Sequence, residues 1–367
     1  LREQGINTWI LWRSIPRGFR TGALNDGLNA SIGDYIYIID VDTRPEKLLI
    51  DKAICILRYD QRIVGVIGRW EPLNQDTRVS QALGLGLRFL AGILYRARSR
   101  CDFFIYPLGT GTVYNATILK NTLHGWDERR IQDDMEIGAR ILSKGLQTLY
   151  LDDVAVYVEN PGTYRSFRIQ QSRWAYGALD TAISRFKEII NSQSPLMKKL
   201  EALKYLFQYI TQALVFIGSL TLGILSLTSV KEPYYSIYMF LAWLLLMCSY
   251  GVLMYRIGYQ GSSRWEFMVL SGRLTALSTA IAPYVTFSTL KAMVRIKEVY
   301  KRTPKGIYQK TSRSLRVPWE LIYGLFFLFT GLIAFINEMI VTHIWLLMNS
   351  LCFFYIVYRF PREVFYE

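Results

Sequence analysis

Residues 35–42 read YIYIIDVD. The first five are aromatic and β-branched, the composition of a buried strand. Asp40 and Asp42 close the run. IVGVI at residues 63–67 is a second strand of the same kind. Between them, Thr43 is placed to cap a helix with Pro45 in its first turn. Strands alternating with helical patterns predict a parallel, doubly wound α/β sheet within residues 1–180. Ligands of such sheets sit outside the carboxyl ends of the strands, which puts Asp40 and Asp42 at a ligand-binding edge. Residues 81–100 mix Leu and Phe with Arg88, Arg96, Arg98 and Arg100. Two readings stay open there: a helix packed on the domain, or a helix on a lipid surface with snorkelling arginines.

The chain has 367 residues, is 51% hydrophobic and carries a formal net charge of +14. That pairing points to an α/β part joined to a membrane part. Nine Lys and Arg against one Glu crowd residues 291–316 between apolar segments. Such placement fits an anionic membrane surface rather than nucleic acid. Cys55, Cys101, Cys248 and Cys352 stand far apart, and His124 and His343 are the only histidines. Neither a zinc site nor a disulfide framework follows.

Uncharged runs predict four membrane spans, near residues 205–230, 233–256, 318–337 and 339–358. The loops at Lys231–Glu232 and Glu338 are nearly free of basic residues, so they belong outside; the basic stretch belongs inside. Both hold only if the apolar stretch 274–290, broken by Pro283, does not cross. It is read as an interfacial or re-entrant helix near 267–291, followed by a basic loop over 292–317. Residues 1–180 then face the cytoplasm.

Three short strings carry chemistry in order: DVD at 40–42, QDD at 132–134 and QQSRW at 170–174. Paired hard carboxylates such as Asp40 and Asp42 suit Mg²⁺ or Mn²⁺ bridged to phosphate, although an isolated D-x-D is more often a cap or turn. Asp134 is a candidate general base, with Asp133 raising its pKa by like-charge repulsion. The bland alternative makes Asp133, Asp134 and Glu136 a solvated acidic first turn. Arg173 offers a fixed fork of donors for phosphate, Gln170 an amide, and Trp174 a face for stacking on a sugar. The alternative there is an amphipathic helix with Trp174 in the core.

The ordered trio, with long uncharged segments after it, resembles the family 2 membrane glycosyltransferases, the group containing cellulose and hyaluronan synthases. QDDMEIGARIL (132–142) stands where that family has its Glu-Asp motif. GFRTGALNDGL (18–28) resembles the family's K-A-G-A-L-N segment near the donor, with Arg20 in place of the usual Lys. GTGTVYN (109–115) resembles the loop before the acceptor-side helix, and YKRTPKG (300–306) the gating loop that closes over the nucleotide. The resemblance covers about residues 17–358.

The resemblance implies a GT-A-like, Rossmann-type domain over 1–180, its first nucleotide-binding strands not in this sequence, and an all-α membrane region over 181–367. It assigns Asp134 as catalytic base and Asp42 and Asp40 to the metal. Arg20, Asn25, Gln170 and Arg173 go to the donor diphosphate and nucleotide. Trp174, Asp133, Gly109, Thr110 and Gly111 go to the acceptor side, and Thr303 and Lys305 to the gate. The implied activity is inverting, metal-dependent sugar transfer from a nucleotide-sugar, a UDP-sugar first, to a growing polysaccharide at the cytoplasmic face of the cell membrane, with export of the polymer. One alternative is transfer of a single sugar to a lipid or lipid-linked acceptor; another is a non-catalytic transporter or scaffold.

Overall fold

The computed structural model describes residues 5, 7–15, 17–228, 230–234, 236–306 and 314–366. Part of the expected basic loop, residues 307–313, lies outside the described residues.

Five strands, β1 (Tyr35–Ile38), β2 (Thr43–Pro45), β3 (Ile63–Pro72), β4 (Thr112–Asn115) and β5 (Gln147–Val158), form one sheet in the order β1-β4-β3-β5-β2. Only β3 and β5 run parallel; the other three pairings are antiparallel. The expected all-parallel sheet is therefore corrected to a mixed one. For β2 the physical cause is its connection to β1. No helix separates them, so the chain cannot make a parallel crossover. Residues 39–42 instead cross over the ends of the strands between the two edges. Thr43 and Pro45 are consequently edge-strand residues and not the start of a helix, which begins only at Leu48.

Helices cover both faces. α2 (Leu48–Tyr59) buries Ala53 and Leu57 against Val66 and Val113. The next residue, Tyr114, points the opposite way, as strand alternation requires. It packs with Leu119 of α5 (Ala116–Asn121) and Ile137 of α6 (Asp133–Ser143). α1 (Phe19–Ala30) adds Leu28 to that core.

Residues 81–100 form α3 (Arg78–Phe89), a π-helical turn (Leu90–Tyr95) and α4 (Arg96–Arg100). A Thr77–Ser80 capping box starts α3. Arg88 pairs with Glu71 at 3.1 Å and Arg96 with Asp152 at 2.6 Å, while Arg98 pairs with Glu201. Those arginines hold the segment to the protein, which favours the packed-helix reading.

α7 (Tyr164–Ile190) is continuous through residues 180 and 181 and is capped by Thr163. α8 (Leu196–Leu206) joins the α/β core through Ala202, Leu203 and Leu206. Then come α9 (Gln208–Leu225), α10 (Ser236–Leu253) with a π-helical turn to Gly258, α11 (Arg264–Met293), α12 (Trp319–Ile336), α13 (Ile340–Arg359) and α14 (Pro361–Phe365). Four helical stretches, Gln208–Leu225, Ser236–Gly258, Trp319–Ile336 and Ile340–Arg359, are long and apolar enough to cross a membrane. They coincide with the four expected spans. α11 passes Pro283 without breaking. Tyr164 Oη lies 3.2 Å from Ala280 O, one turn before that proline.

A fully buried carboxylate joins the two parts. Glu320 at the start of α12 accepts from Tyr164 OH at 2.8 Å and Tyr284 OH at 3.0 Å, lies 3.5 Å from Arg168 and pairs with Arg316. Arg165 N donates to Glu363 Oε2 at 2.7 Å, tying α7 to α14 as well. Removing one member of a buried ion network strands the others without solvent. Glu320→Ala should therefore cost about 3–5 kcal/mol, seen as a lower thermal unfolding midpoint of the detergent-solubilised chain; an unchanged midpoint would mean that the network does not hold the two layers together.

Candidate active site

DVD lies in the turn after β1, not on the strand itself. Strand alternation therefore does not aim the two carboxylates; anchoring of the turn does. Asp40 N donates to Thr110 Oγ1 at 3.0 Å, Thr43 N to Asp40 O at 3.0 Å, and Glu159 N to Asp42 O at 3.2 Å. Trp70 Nε1 fixes Thr110 from below, donating to its carbonyl at 3.0 Å. Asp40 and Asp42 thus stand over the carboxyl ends of β3 and β5, on the wall of a cavity of about 950 Å³.

The same cavity takes Arg20, Gly109, Thr110, Asp133, Asp134, Gln170, Arg173, Trp174, Thr303 and Lys305. Most residues predicted from the sequence are thereby brought together, from segments up to 285 positions apart. Two are not. Asn25 does not line the cavity: its amide donates to Trp126 O at 2.9 Å and Glu128 Oε1 at 3.0 Å, and its oxygen accepts from Trp126 N at 2.8 Å. It pins the loop before α6. Gly111 is also outside the lining; it has φ +80°, and a Cβ there would meet Val156 at 2.8 Å. Its requirement for glycine is a backbone requirement of the turn into β4.

Arg20 is the centre of the electrostatics. Its guanidinium pairs with Asp133 and donates to Gly109 O, and reaches Asp40 at 2.9 Å. Burial alone would depress its pKa, but Asp133 and Asp40 outweigh burial and raise it. Arg20 is thus held among the acids of the site and bridges the DVD turn to α6. On the other side, Lys305 Nζ lies 2.6 Å from Asp42 Oδ2 and 2.6 Å from Glu159 O.

Asp134 opens on the cavity but is otherwise enclosed. Gln132 Nε2 and Met135 N both donate to its Oδ1 at 2.7 Å. Oδ2 is turned toward Gly109; it is 3.3 Å from where a Cβ on that residue would sit. Burial, then the neighbouring Asp133 charge, push the Asp134 carboxyl up to about 6 despite those hydrogen bonds. The acidic first turn of α6 is therefore not a solvated one. Glu136, fully buried, is taken by Arg140 at 2.7 Å and Arg185 at 2.7 Å and plays no part in the cavity.

α7 supplies Gln170, Arg173 and Trp174, with Trp174 partly buried against the cluster of Trp70 and Leu108. The segment after α11 lies across the cavity mouth. Arg173 donates to Lys301 O at 3.1 Å and stacks over the Tyr300 ring at 4.9 Å; Ser166 Oγ donates to Pro304 O at 2.7 Å. Trp70, Asn160 and Tyr300 also line the cavity. Sequence reading missed Trp70 and Asn160, while Tyr300 opens the YKRTPKG string without a role of its own. Asn160-Pro161 gives only a turn signal, and an isolated aromatic gives none.

A family model described as "Glycosyl transferase family group 2" matches residues 35–257. A "Probable glycosyltransferase" of Sulfolobus acidocaldarius is 28% identical over 98% of this chain and 78% of its own length. "Glucomannan 4-beta-mannosyltransferase 1" of Oryza sativa subsp. japonica is 30% identical over 56% of this chain and 40% of that protein. The chain thus spans most of the archaeal relative and about two fifths of the plant enzyme. Among solved structures, a mannosyltransferase of Pyrobaculum calidifontis in complex with GDP-Man and Mn²⁺ has a TM-score of 0.46 and 15% identity over 76% of this chain and 67% of that chain. The mixed sheet between helices, followed by four apolar helices, is the GT-A-like and all-α arrangement expected from the sequence.

A carboxyl raised on folding binds its proton more tightly in the native state, so its contribution to stability falls as pH rises from the unfolded value of about 4 through the folded value of about 6. Asp134→Asn keeps both Oδ1 hydrogen bonds and has no charge to bury. Its unfolding midpoint should match the wild type near pH 4 and exceed it increasingly up to pH 7. A midpoint below the wild type at pH 7 would contradict the assigned environment.

Proposed function

The chain belongs to the glycosyl transferase family group 2, and on that premise we propose that it transfers a glycosyl group from a nucleotide-sugar to an acceptor hydroxyl at the cytoplasmic face of a membrane. The observation that carries the reading is the convergence of DVD, QDD, QQSRW and the 300–306 segment on one cavity. Asp134 is the base. Its Oδ2 takes the proton of the acceptor hydroxyl, whose oxygen attacks the anomeric carbon. The bond to the diphosphate breaks in the same displacement, and the nucleoside diphosphate leaves. One in-line displacement inverts configuration, so an α-linked donor gives a β-linked product. A carboxyl pushed up to about 6 is well matched to that task near neutral pH.

Asp40 and Asp42 are the residues that would hold Mg²⁺ or Mn²⁺. Lys305 Nζ at 2.6 Å from Asp42 Oδ2 already places a cation against that carboxylate. Among the described residues no group of three or more His, Cys, Asp or Glu could hold a metal by itself. Two carboxylates completed by donor phosphate oxygens and water fit the habits of Mg²⁺. The metal would supply charge neutralisation for the leaving diphosphate. Arg173 and Gln170 face the same diphosphate, Trp174 the acceptor sugar, and Asp133 and the Gly109–Thr110 backbone the acceptor side. Thr303 and Lys305 act as the gate.

The plant relatives are named for mannosyl transfer, which moves a mannosyl donor such as GDP-mannose ahead of a UDP-sugar. A growing polysaccharide is the proposed acceptor, exported between the four spans. α11 lies at the interface under this reading, because a crossing α11 would put the basic segment after it on the outer side. A single transfer to a lipid-linked acceptor is told apart by product length, one added sugar instead of a ladder.

The test is nucleoside diphosphate release by the chain in membrane vesicles, across GDP-mannose and UDP-sugars, with Mg²⁺ or Mn²⁺. Release with one donor, lost on chelation of the metal, is the expected result. kcat/KM should fall as pH drops below about 6, because only the deprotonated Asp134 accepts a proton. Asp134→Asn should lower kcat by about 10²–10⁴-fold with donor affinity nearly unchanged. Turnover retained in that variant would remove Asp134 as the base, and no release with any donor would overturn the reading.

A further inference from the structure

Two buried polar groups in the cavity wall have no hydrogen-bond partner among the described residues, Asn160 Nδ2 and Thr303 Oγ1. They come from opposite sides. Asn160 stands in the turn between β5 and α7; Thr303 stands in the segment after α11. They are 7% and 9% exposed. No described residue pairs with them, and a native fold rarely keeps such a buried group without a use for it.

The Asn160 backbone is held on both sides. Its N–H donates to Asn74 Oδ1 at 2.7 Å, and Asn74 Nδ2 donates back to Asn160 O at 3.1 Å. Pro161 stiffens the next residue. Asn160 lines the cavity and follows directly on Glu159, whose backbone carbonyl shares Lys305 with Asp42. One carboxylate and a lysine already handle charge at that point. What an uncharged N–H adds is a directed donor for an oxygen that carries only part of a charge.

We propose that Asn160 is a ligand of the donor's diphosphate. Its Nδ2–H donates to a phosphoryl oxygen once the nucleotide is bound, and Thr303 Oγ1 closes on the same ligand from the loop. This rests on the function proposed above and adds to it a residue that no sequence motif picked out. The unpaired donor is then a cost carried by the empty protein and relieved by the nucleotide.

That cost gives the test a signature that a merely structural asparagine would not produce. Asn160→Leu keeps the approximate shape and removes the unpaired donor. Asn160→Asp keeps the shape and offers only acceptors. The full chain in lipid nanodiscs with Mn²⁺ is titrated calorimetrically with GDP and with UDP, neither carrying a sugar, and its ligand-free unfolding midpoint is recorded. The expected result for Asn160→Leu is an unchanged or higher midpoint together with about tenfold weaker binding of the diphosphate that the wild type prefers. Asn160→Asp should weaken binding at least as much. Affinity within about twofold of wild type in either variant overturns the proposal. So does weaker binding of Asn160→Leu accompanied by a lower midpoint, which marks a structural role. A wild-type chain that binds neither diphosphate removes the donor-binding reading itself, and the inference with it.

Discussion

One buried guanidinium holds the site together. Arg20 sits in α1, yet it pairs with Asp133 at the start of α6, with Asp40 in the turn after β1, and with the Gly109 carbonyl before β4. Five acidic residues, Asp40, Asp42, Asp133, Asp134 and Glu159, line one cavity. Their mutual repulsion in a poorly solvated space would drive the walls apart or force protonation. A planar fork with five donors joins three of those walls at once, which a lysine's point charge does less well. Arg20 pairs directly with Asp133 and Asp40 and reaches Asp134 only through space, and burial, then the Asp133 charge, holds the Asp134 carboxyl raised.

The second cation, Lys305, is attached differently. It belongs to the segment after α11, and its hold on Asp42 and Glu159 is accompanied by contacts of that segment with Arg173 and Ser166 on α7. Residues 300–306 therefore lie across the cavity, in the connection between α11 and α12. Those helices are in turn fixed to α7 through the buried Glu320 cluster. α7 is common to all of it: Tyr164 and Arg168 face the apolar layer, and Gln170, Arg173 and Trp174 face the cavity. Movement of one layer against the other would reach the cavity through this helix.

Much of this was legible before any coordinates. The four helices long and apolar enough to cross a membrane follow from length and absence of charge, since a hydrocarbon layer of about 30 Å sets that length. β1, β3 and the acidic start of α6 follow from local composition. The mixed sheet was not legible, since β2 and β4 are only three and four residues long and their pairing depends on partners 45 or more residues away. The assignment of Asn25 and Gly111 to the cavity came from motif position alone. Their actual uses, a clamp on Trp126 and a left-handed turn beside Val156, involve atoms that a motif does not contain.

The sequence by itself determined which residues could do chemistry and which segments could not stay in water. Hydrophobicity, charge and residue type are properties of each position and its near neighbours, so they can be read along the chain. Only the tertiary structure decided how the candidates are used: Arg20 as a bridge among acids, Asp134 enclosed with its carboxyl raised, Lys305 against Asp42, and Asn160 Nδ2 buried with no partner among the described residues. Those outcomes depend on burial and on hydrogen bonds between residues 20 to 263 positions apart, and solvent exclusion at a point in space is not encoded at any single position.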